Sequence, residues 1–334
     1  MPFNRMGVPK FHIDAALLAR QWGMIEAESG EGKFFLNPSK VTSLNFNYDG
    51  IDYITLKFKQ QYWINSLDHV FILGHNWKST DITMKYTFRD AASGNAISPI
   101  GNIPFNDEAT NGWHYFSHSL HAGYYVYLYF KLYNTSGTSV NINNARLGDI
   151  SVGWSYEMQH SSDLELTLNY SNESIKTQTT LGGHTLTNAG YNHKPGWIKP
   201  AWTTGANDNS FFEDQNFKVF PVGRRSWNLK FSYLADEHST SPLFAEDPYS
   251  NYGIFENTGS IIDDEEEGTI FEIKKDFLSK VWFSTNCGQL PFIFQPNKDV
   301  EDEFAICRID SDTASFEQVA NNVYNISLDI VEVW

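Results

Sequence analysis

Hydrophobic and polar residues alternate along two long stretches of the chain. Between residues 223 and 233 the apolar positions are Trp227, Leu229, Phe231 and Tyr233, with polar residues between them. The last residues repeat the alternation at Tyr324, Ile326, Leu328 and Ile330. Because side chains alternate across a β-strand, each stretch predicts a half-buried strand, and the pair predicts a sheet closed by the last strand. Adjacent apolar residues at 330–331 predict a bulge there.

Further apolar stretches predict strands through most of the chain. They lie at residues 51–58, 82–88, 124–133, 140–143, 164–170, 290–294 and 304–309. Short strands at this spacing, separated by polar turns, are typical of a β-sandwich. Residues 171–215 are rich in Asn, Thr, Gly and Pro, and they predict a long irregular loop of the kind that is often functional or interfacial.

Two segments depart from the β pattern. Residues 15–22 contain good helix formers between Asp14, which can cap a helix, and Gly23, which can end one. Residues 269–283 carry apolar side chains at helical spacing, and the acidic run before them interacts favourably with a helix dipole. One or two short helices are therefore predicted in an all-β, mainly antiparallel protein.

The order of these elements predicts three segments. Residues 1–42 are too short for a core of their own, and we expect them to pack on the C-terminal domain. The closing passage of residues 43–150 runs from Val140 to Ile150 and contains Arg146, Leu147, Gly148 and Asp149. Because it resembles the last strand of discoidin-like jelly rolls, residues 43–150 are expected to form a jelly-roll-like β-sandwich. Residues 151–334 are expected to form a second sandwich or barrel that contains the helix near 269–283.

Composition and charge narrow the classes of partner. Aromatic residues make up 16% of the 334 positions, and flat rings pack well on pleated sheets. A net charge of −16 repels phosphate backbones, so we predict no nucleic-acid partner. The sequence has no apolar run of about 18 residues, so membrane insertion is not predicted. The first residues lack the apolar stretch of a secretory signal, and the two cysteines are expected to be free thiols, both typical of synthesis in a cytoplasm.

Motifs for catalysis do not occur in the sequence. It contains no G-x-S-x-G, P-loop, H-E-x-x-H or G-x-G-x-x-G motif. A polysaccharide-degrading enzyme would need two facing carboxylates, and nothing selects a pair among the 40 acidic residues. Nothing places a histidine beside Cys287, which we interpret as an ordinary thiol. We predict that the protein is not an enzyme and needs no cofactor.

Metal binding is also not predicted. His114, His118 and His121 lie in a region of strands and loops, whereas a metal site needs three or four converging ligands. The acidic run at 263–267 lacks the spacing of an EF-hand. We interpret this run as a solvated surface or a subunit contact.

Aromatic and polar residues near predicted turns are candidates for glycan contact. They are Trp63, His75, Asn76, Trp77 and Trp113. In the 73–77 loop, His75 and Asn76 could donate hydrogen bonds to a sugar while Trp77 stacks on it. The same residues are typical of a turn at a strand end, and we favour the turn.

Arg224 and Arg225 stand at the start of the aromatic strand, and two interpretations stay open. Arginine suits a subunit contact, since its planar fork matches carboxylates. Alternatively, the two charges protect the end of a strand from unwanted pairing. Because the chain has an excess of acid, a closed ring of identical subunits, basic edge to acidic edge, is physically reasonable.

A series of short motifs runs along most of the chain. It comprises P-K-F-H-I-D at 9–14, L-G-H-N at 73–76, the discoidin-like region, two glycines at 182–183, G-R-R-S-W-N-L-K-F at 223–231, a helix, P-F-I-F at 291–294 and the last strand. In this order the series resembles the tail structural proteins of tailed bacteriophages, of the distal-tail, baseplate or fibre-adaptor type.

The resemblance implies a non-enzymatic virion protein, located in the tail and made in the host bacterial cytoplasm. Such proteins form homo-oligomeric rings or collars, and they join the tail tube and the hub to receptor-binding fibres. Some carry a sandwich that contacts host glycans, so the alternative function is a carbohydrate-binding, lectin-like host-contact module. One departure concerns order: distal-tail proteins often place the ring-forming barrel first, whereas here the sandwich precedes it.

Overall fold

The computed structural model describes the chain in separate stretches. They are residues 6–25, 44–46, 53–64, 67–73, 82–89, 101–103, 113–117, 123–134, 145–147, 149–163, 167–171, 175–189, 224–235, 276–300, 303–310, 313 and 315–333. In chain order the strands of these residues are β1 (Lys10–Asp14), β2 (Leu44–Phe46), β3 (Tyr53–Ile64), β4 (His69–Leu73), β5 (Ile82–Arg89), β6 (Gly101–Ile103), β7 (Trp113–Ser117), β8 (Gly123–Asn134), β9 (Ala145–Leu147), β10 (Asp149–Glu157), β11 (Thr167–Ser171), β12 (Ile175–Thr179), β13 (Thr185–Ala189), β14 (Arg224–Ala235), β15 (Phe292–Gln295), β16 (Ala305–Ile309), β17 (Phe316–Ala320) and β18 (Val323–Glu332).

The strands form one large sheet and three small ones. The large sheet has ten strands in the order β11-β14-β18-β16-β15-β1-β10-β4-β7, with β17 paired to β18. A four-stranded sheet has the order β3-β8-β5-β6, and β2-β9 and β12-β13 form two-stranded sheets. Neighbouring strands are antiparallel throughout the described residues, from the β1–β10 pair onward. The predicted all-β, antiparallel fold class is therefore confirmed.

Strand β1 lies inside the large sheet, between β10 and β15. Phe11 is in register with Tyr156 on one side and with Phe294 on the other. The sequence alone did not predict a strand here. Strands from all three predicted segments thus meet in one sheet, while the division into segments itself stays a prediction.

A glycine permits close approach where β1 passes into the first helix. A Cβ on Gly153 of β10 would lie 1.7 Å from the carbonyl oxygen of Ile13. No side chain fits at that distance, so the contact between β10 and the end of β1 requires glycine.

The two faces of the large sheet differ in chemistry. Since paired residues of antiparallel strands point to the same face, Phe11, Tyr156 and Phe294 share one face. That face carries the main hydrophobic core, which continues to Trp227, Leu229 and Ile330 in the far strands. The opposite face carries a smaller apolar cluster, made of Phe71, Leu73, Ile293, Phe304 and Ile306. Buried polar residues accompany that second cluster.

Both predicted helical segments are helical where the structure describes them. Helix α1 spans Ala15–Gln21, and Asp14 Oδ1 accepts hydrogen bonds from the backbone N–H groups of Ala16 at 2.9 Å and Leu17 at 3.1 Å. Gly23 follows with a φ of 68°, as a helix-ending glycine should. These contacts confirm the predicted cap and stop.

A single π-helical stretch, Leu278–Phe283, forms the end of the second predicted helix, and residues 269–275 lie outside the described residues. The indole N–H of Trp154 donates to the Lys280 carbonyl oxygen at 3.1 Å and ties this stretch to β10. In the described part of the chain, no helix is long and apolar enough to cross a membrane.

The alternation predicted for β14 is confirmed for Trp227, Leu229 and Phe231, which are buried. It is wrong for Tyr233, whose side chain is exposed. The register with β18 shifts between Phe231 and Leu234, so a β-bulge reverses the side-chain direction. The break predicted at residues 330–331 is also wrong, because β18 stays regular there and turns Glu332 inward.

The predicted loop at 171–215 contains a regular hairpin. Strands β12 and β13 pair in register from Ile175–Ala189 to Thr179–Thr185. The turn between them is closed by backbone N–H groups, since Gly183 donates to the Thr180 carbonyl oxygen and Thr180 donates to that of His184, both at 2.9 Å. Thus the first part of the loop prediction was wrong, while residues 190–215 lie outside the described residues.

Candidate functional site

The two predicted glycan-contact residues that the structure describes lie in two different sheets. Trp63 lies on β3 of the four-stranded sheet, and Trp113 begins β7 at one edge of the large sheet. His75, Asn76 and Trp77 lie outside the described residues. The structure therefore does not bring Trp63 and Trp113 together in one strand ladder.

Trp113 is nevertheless paired with a residue that is close in sequence to three other predicted glycan-contact residues. Trp113 of β7 pairs with Leu73, the last residue of β4, and His75, Asn76 and Trp77 follow Leu73 within four positions of the sequence. Their role in binding stays a prediction.

Arg225 is buried inside the chain by a carboxylate that the sequence did not single out. Only 2% of the Arg225 surface is exposed. Its Nε and Nη2 donate to Glu332 Oε2 and Oε1 at 3.0 and 2.9 Å, and its backbone N–H donates to Oε2 at 3.0 Å. The guanidinium also lies 5.1 Å from the centre of the Trp227 ring. This bidentate pair gives Arg225 an internal role.

Arg224 points to the other side of β14 and is half-buried. Its backbone pairs with Ser171 at the end of β11. The predicted subunit contact stays a prediction.

Two buried histidines face each other on the second face of the large sheet. The rings of His12 on β1 and His69 on β4 lie 5.0 Å apart, edge to face, and both side chains are fully buried. His12 Nε2 lies 3.0 Å from Gln295 Oε1. The Gln295 amide nitrogen donates to three backbone carbonyl oxygens, which orients its Oε1 toward the imidazole. His12 Nε2 is therefore the donor.

Asp68 joins His69 to the neighbouring strand β10. One Asp68 oxygen lies 3.1 Å from His69 Nδ1, and the other accepts hydrogen bonds from the Ser155 backbone N–H at 3.0 Å and its hydroxyl at 2.9 Å. Burial alone would raise the pKa of Asp68, but the hydrogen bonds and charge of His69, together with those bonds from Ser155, lower it to about 2. Asp68 is thus held as a carboxylate.

Burial lowers the pKa of His12 well below 6.5, and the neighbouring His69 lowers it further, against the effect of the Gln295 hydrogen bond. A neutral His12 fits a donor at Nε2 in an interior without solvent. Neither ring reaches solvent, so the cluster links strands β1, β4, β10 and β15. Among the described residues, no three His, Cys, Asp or Glu side chains could hold a metal ion together.

The outward side of β14 and β18 presents hydrogen-bonding side chains to solvent. Asn228 and Lys230 alternate with the buried Trp227 and Leu229 and are exposed. Across the ladder they pair with exposed Asp329 and Ser327. We call this set, with Tyr233, Asn325 and Glu317 at its end, the outer strip.

Tyr233 is the aromatic member of the outer strip. It is 76% exposed and has a φ of 61°, in the left-handed region that bulky residues rarely adopt. Its backbone N–H donates to Asn325 Oδ1 at 3.1 Å, and Asn325 Nδ2 in turn donates to Glu317 Oε2 at 3.2 Å. Gln159 supports the strand end, because it accepts from the Ala235 N–H at 3.0 Å and donates to the Ala235 carbonyl oxygen at 2.6 Å.

Sequence reasoning missed most of these residues for physical reasons. An exposed Tyr233 requires the bulge, which strict alternation cannot show. His12 lies between the apolar residues Phe11 and Ile13, so the local sequence carried a signal for a strand at this position. Its partners His69 and Gln295 are distant in sequence, and the local pattern could not indicate them.

Comparison with known proteins gives no family. No protein-family profile and no curated protein matches the chain. A structure of the CBM32-1, CBM32-2 and M60 catalytic domains of ZmpB from Clostridium perfringens is similar over 43% of this chain and 15% of that one, at 10% identity and a TM-score of 0.26. The carbohydrate-binding module CBM6cm-2 of lichenase 5A from Cellvibrio mixtus, in complex with cellotriose, is similar over 37% of this chain and 94% of that one, at 13% identity and a TM-score of 0.21. Neither similarity enters the functional argument at such low TM-scores.

Proposed function

We propose that this protein is a structural, non-enzymatic component of a bacteriophage tail tip. In this proposal it forms a homo-oligomeric ring or collar and connects the tail tube and hub with receptor-binding proteins. The motif series motivates the tail assignment. The observation that carries the assembly role is the exposed β12–β13 hairpin.

The hairpin extends into solvent on both of its faces. Every residue from 177 to 187 is exposed. Leu181 at the tip is fully exposed, and more than half of the Leu186 surface is exposed. Its two strands pair only with each other among the described strands. Because an isolated two-stranded hairpin is marginally stable in water, contact with another subunit would supply the missing stabilisation. Apolar groups at its tip would then become buried.

Charge supports a second copy as that partner. Residues 175–189 include one lysine and no aspartate or glutamate, whereas the whole chain has a net charge of −16. A hairpin free of acid approaches an acidic surface without like-charge repulsion. A contact between two different surfaces of identical subunits closes into a ring when its rotation permits.

Light scattering on the purified full chain tests this proposal. We expect concentration-dependent oligomers that the double variant Leu181→Ser/Leu186→Ser weakens by at least about tenfold. Val319→Ser, which changes an exposed apolar residue of β17, serves as the matched control and should leave association unchanged. A monomer at all concentrations, or an unchanged oligomer in the double variant, would contradict the assembly role.

A second candidate function is glycan contact at the β4–β7 edge. The register of Trp113 with Leu73 favours it, because His75, Asn76 and Trp77 follow Leu73 within four positions of the sequence. We expect Trp113→Ala to reduce binding on a glycan array and Trp63→Ala, in a different sheet, to leave it unchanged. Equal binding by all three proteins would remove this candidate.

A further inference from the structure

The backbone of the outer strip has an unusual, left-handed conformation at Tyr233. Phe231 and Leu234 are both buried, and the register shift leaves Ser232 and Tyr233 opposite the single residue Asn325. In a bulge of this kind the left-handed position is favourable for glycine, which has no Cβ. Tyrosine at that position is strained, and strain of this kind is typical of functional sites.

Side-chain contacts hold the strained backbone in place. The Asn325 amide replaces a backbone partner for the Tyr233 N–H, and Glu317 accepts from the same amide. Gln159 makes two hydrogen bonds with the Ala235 backbone directly after the bulge. Since Asn325 is fixed from two sides, the ring is presented to solvent from an ordered platform.

The chemistry of the strip identifies a class of ligand. It combines one exposed aromatic ring, that of Tyr233, with amide, hydroxyl, ammonium and carboxylate groups. Besides Asn325, the residues that supply these polar groups are Asn228, Lys230, Ser327, Asp329 and Glu317. A flat ring can pack on the C–H face of a sugar, and these polar groups can bond its hydroxyls. Two carboxylates against one ammonium, on a chain of net charge −16, disfavour anionic sugars.

We propose that the outer strip is a binding site for a neutral glycan, with Tyr233 as its stacking residue. This site lies at the opposite end of the large sheet from the β4–β7 edge, since β14, β18 and β17 are separated from β7 by β16, β15, β1, β10 and β4. It is also independent of the proposed assembly role, because the hairpin residues take no part in it.

An array of neutral hexose and N-acetylhexosamine oligosaccharides, probed with the full chain, tests the site. Tyr233→Phe keeps the ring and should bind within about threefold of the unchanged protein. Tyr233→Asn removes the ring but tolerates the left-handed conformation, so it should bind at least about tenfold more weakly without a lower Tm.

Three results would overturn the proposal. They are the absence of neutral-glycan binding by the unchanged protein, equal binding by Tyr233→Asn, and loss of binding in Trp113→Ala alone, which would assign binding to the β4–β7 edge. The variant Leu181→Ser/Leu186→Ser separates the two functions, since it should retain glycan binding. Failure of the assembly role would leave this result unchanged.

Discussion

The ten-stranded sheet and the β12–β13 hairpin are built from the same type of strand but bury very different amounts of surface. In the sheet, both faces are covered around β1, and even Arg225, His12 and Glu332 are buried. In the hairpin, no residue from 177 to 187 is buried. Burial in the sheet therefore stabilises the fold, whereas the exposed hairpin is available for contacts with other molecules. Four predictions sharpen or break this contrast.

The largest effect is expected at the buried ion pair. Replacing Arg225 with Met leaves the Glu332 carboxylate buried without its partner and should lower the free energy of unfolding by about 3–5 kcal/mol. The double variant Arg225→Met/Glu332→Leu removes both charges and should recover most of that loss. Urea unfolding measures both. Arg224→Met, at the half-buried neighbour, is the control and should cost less than about 1 kcal/mol.

If the double variant is as unstable as the single one, the pair is not the source of the effect. Replacing both arginines with glutamate is therefore an unsuitable test of the predicted subunit contact. A glutamate at position 225 would face the buried Glu332 and would unfold the sheet rather than report on subunit contact.

The next effect is a pH dependence of the sheet. The folded state holds His12 neutral, whereas the unfolded chain takes up a proton near pH 6.5, so the unfolded state binds more protons below that pH. Stability should fall as pH decreases from 6.5, by up to about 1.4 kcal/mol per pH unit. Asp68, with its folded pKa of about 2, adds a further loss between about pH 4 and pH 2.

Urea unfolding at pH 7.5 and 5.5 measures the contribution of His12. The variant His12→Gln retains a donor near the Gln295 oxygen but cannot be protonated, so its stability should change less between these two pH values. An identical change in both proteins would show that His12 does not titrate as described.

A smaller effect is expected at the start of helix α1. Asp14→Ala removes the acceptor for the N–H groups of Ala16 and Leu17 and should cost about 1 kcal/mol. Asp14→Asn keeps an acceptor oxygen and should cost much less. Thermal unfolding compares the three proteins, and equal losses in the two variants would indicate that charge, not capping, matters there.

The smallest effect is expected in the hairpin. Leu186→Ser should change the free energy of unfolding by no more than about 0.5 kcal/mol, since the side chain is exposed. Urea unfolding at low protein concentration measures it. A loss above about 1 kcal/mol would mean that the hairpin contributes to the fold of a single chain and would end the contrast with the sheet.

The sequence predicted those parts of the fold that depend on local pattern. The inner faces of β14 and β18, the short buried strands near Phe292 and Ala305, and the Asp14 cap all follow from side-chain period and capping chemistry. Strand β1 was not predicted because its partners lie more than a hundred residues away, and β17 was not predicted because four of its five residues are exposed.

The candidate site was less predictable than the fold. Arg225 was singled out, but its partner Glu332 is 107 residues distant, and only the register of β14 with β18 brings them together. Tyr233 was assigned to the core because period-two reasoning continues through a bulge. The cluster of Gln295, His12 and His69 cannot be predicted without knowing that β1 lies inside the large sheet.

The central position of β1 also determines the order in which the strands of the large sheet can pair during synthesis. His12 must wait for Gln295, 283 residues later, before the two can form their hydrogen bond. At a synthesis rate of about 5–20 residues per second, that delay is about 14–57 s. During this interval β10 already has both of its neighbours, β1 and β4, but the edge of β1 that later pairs with β15 is open. Such an open edge invites pairing with other chains. The newly made chain would therefore depend on rapid completion, or on a chaperone, to reach its ten-stranded sheet.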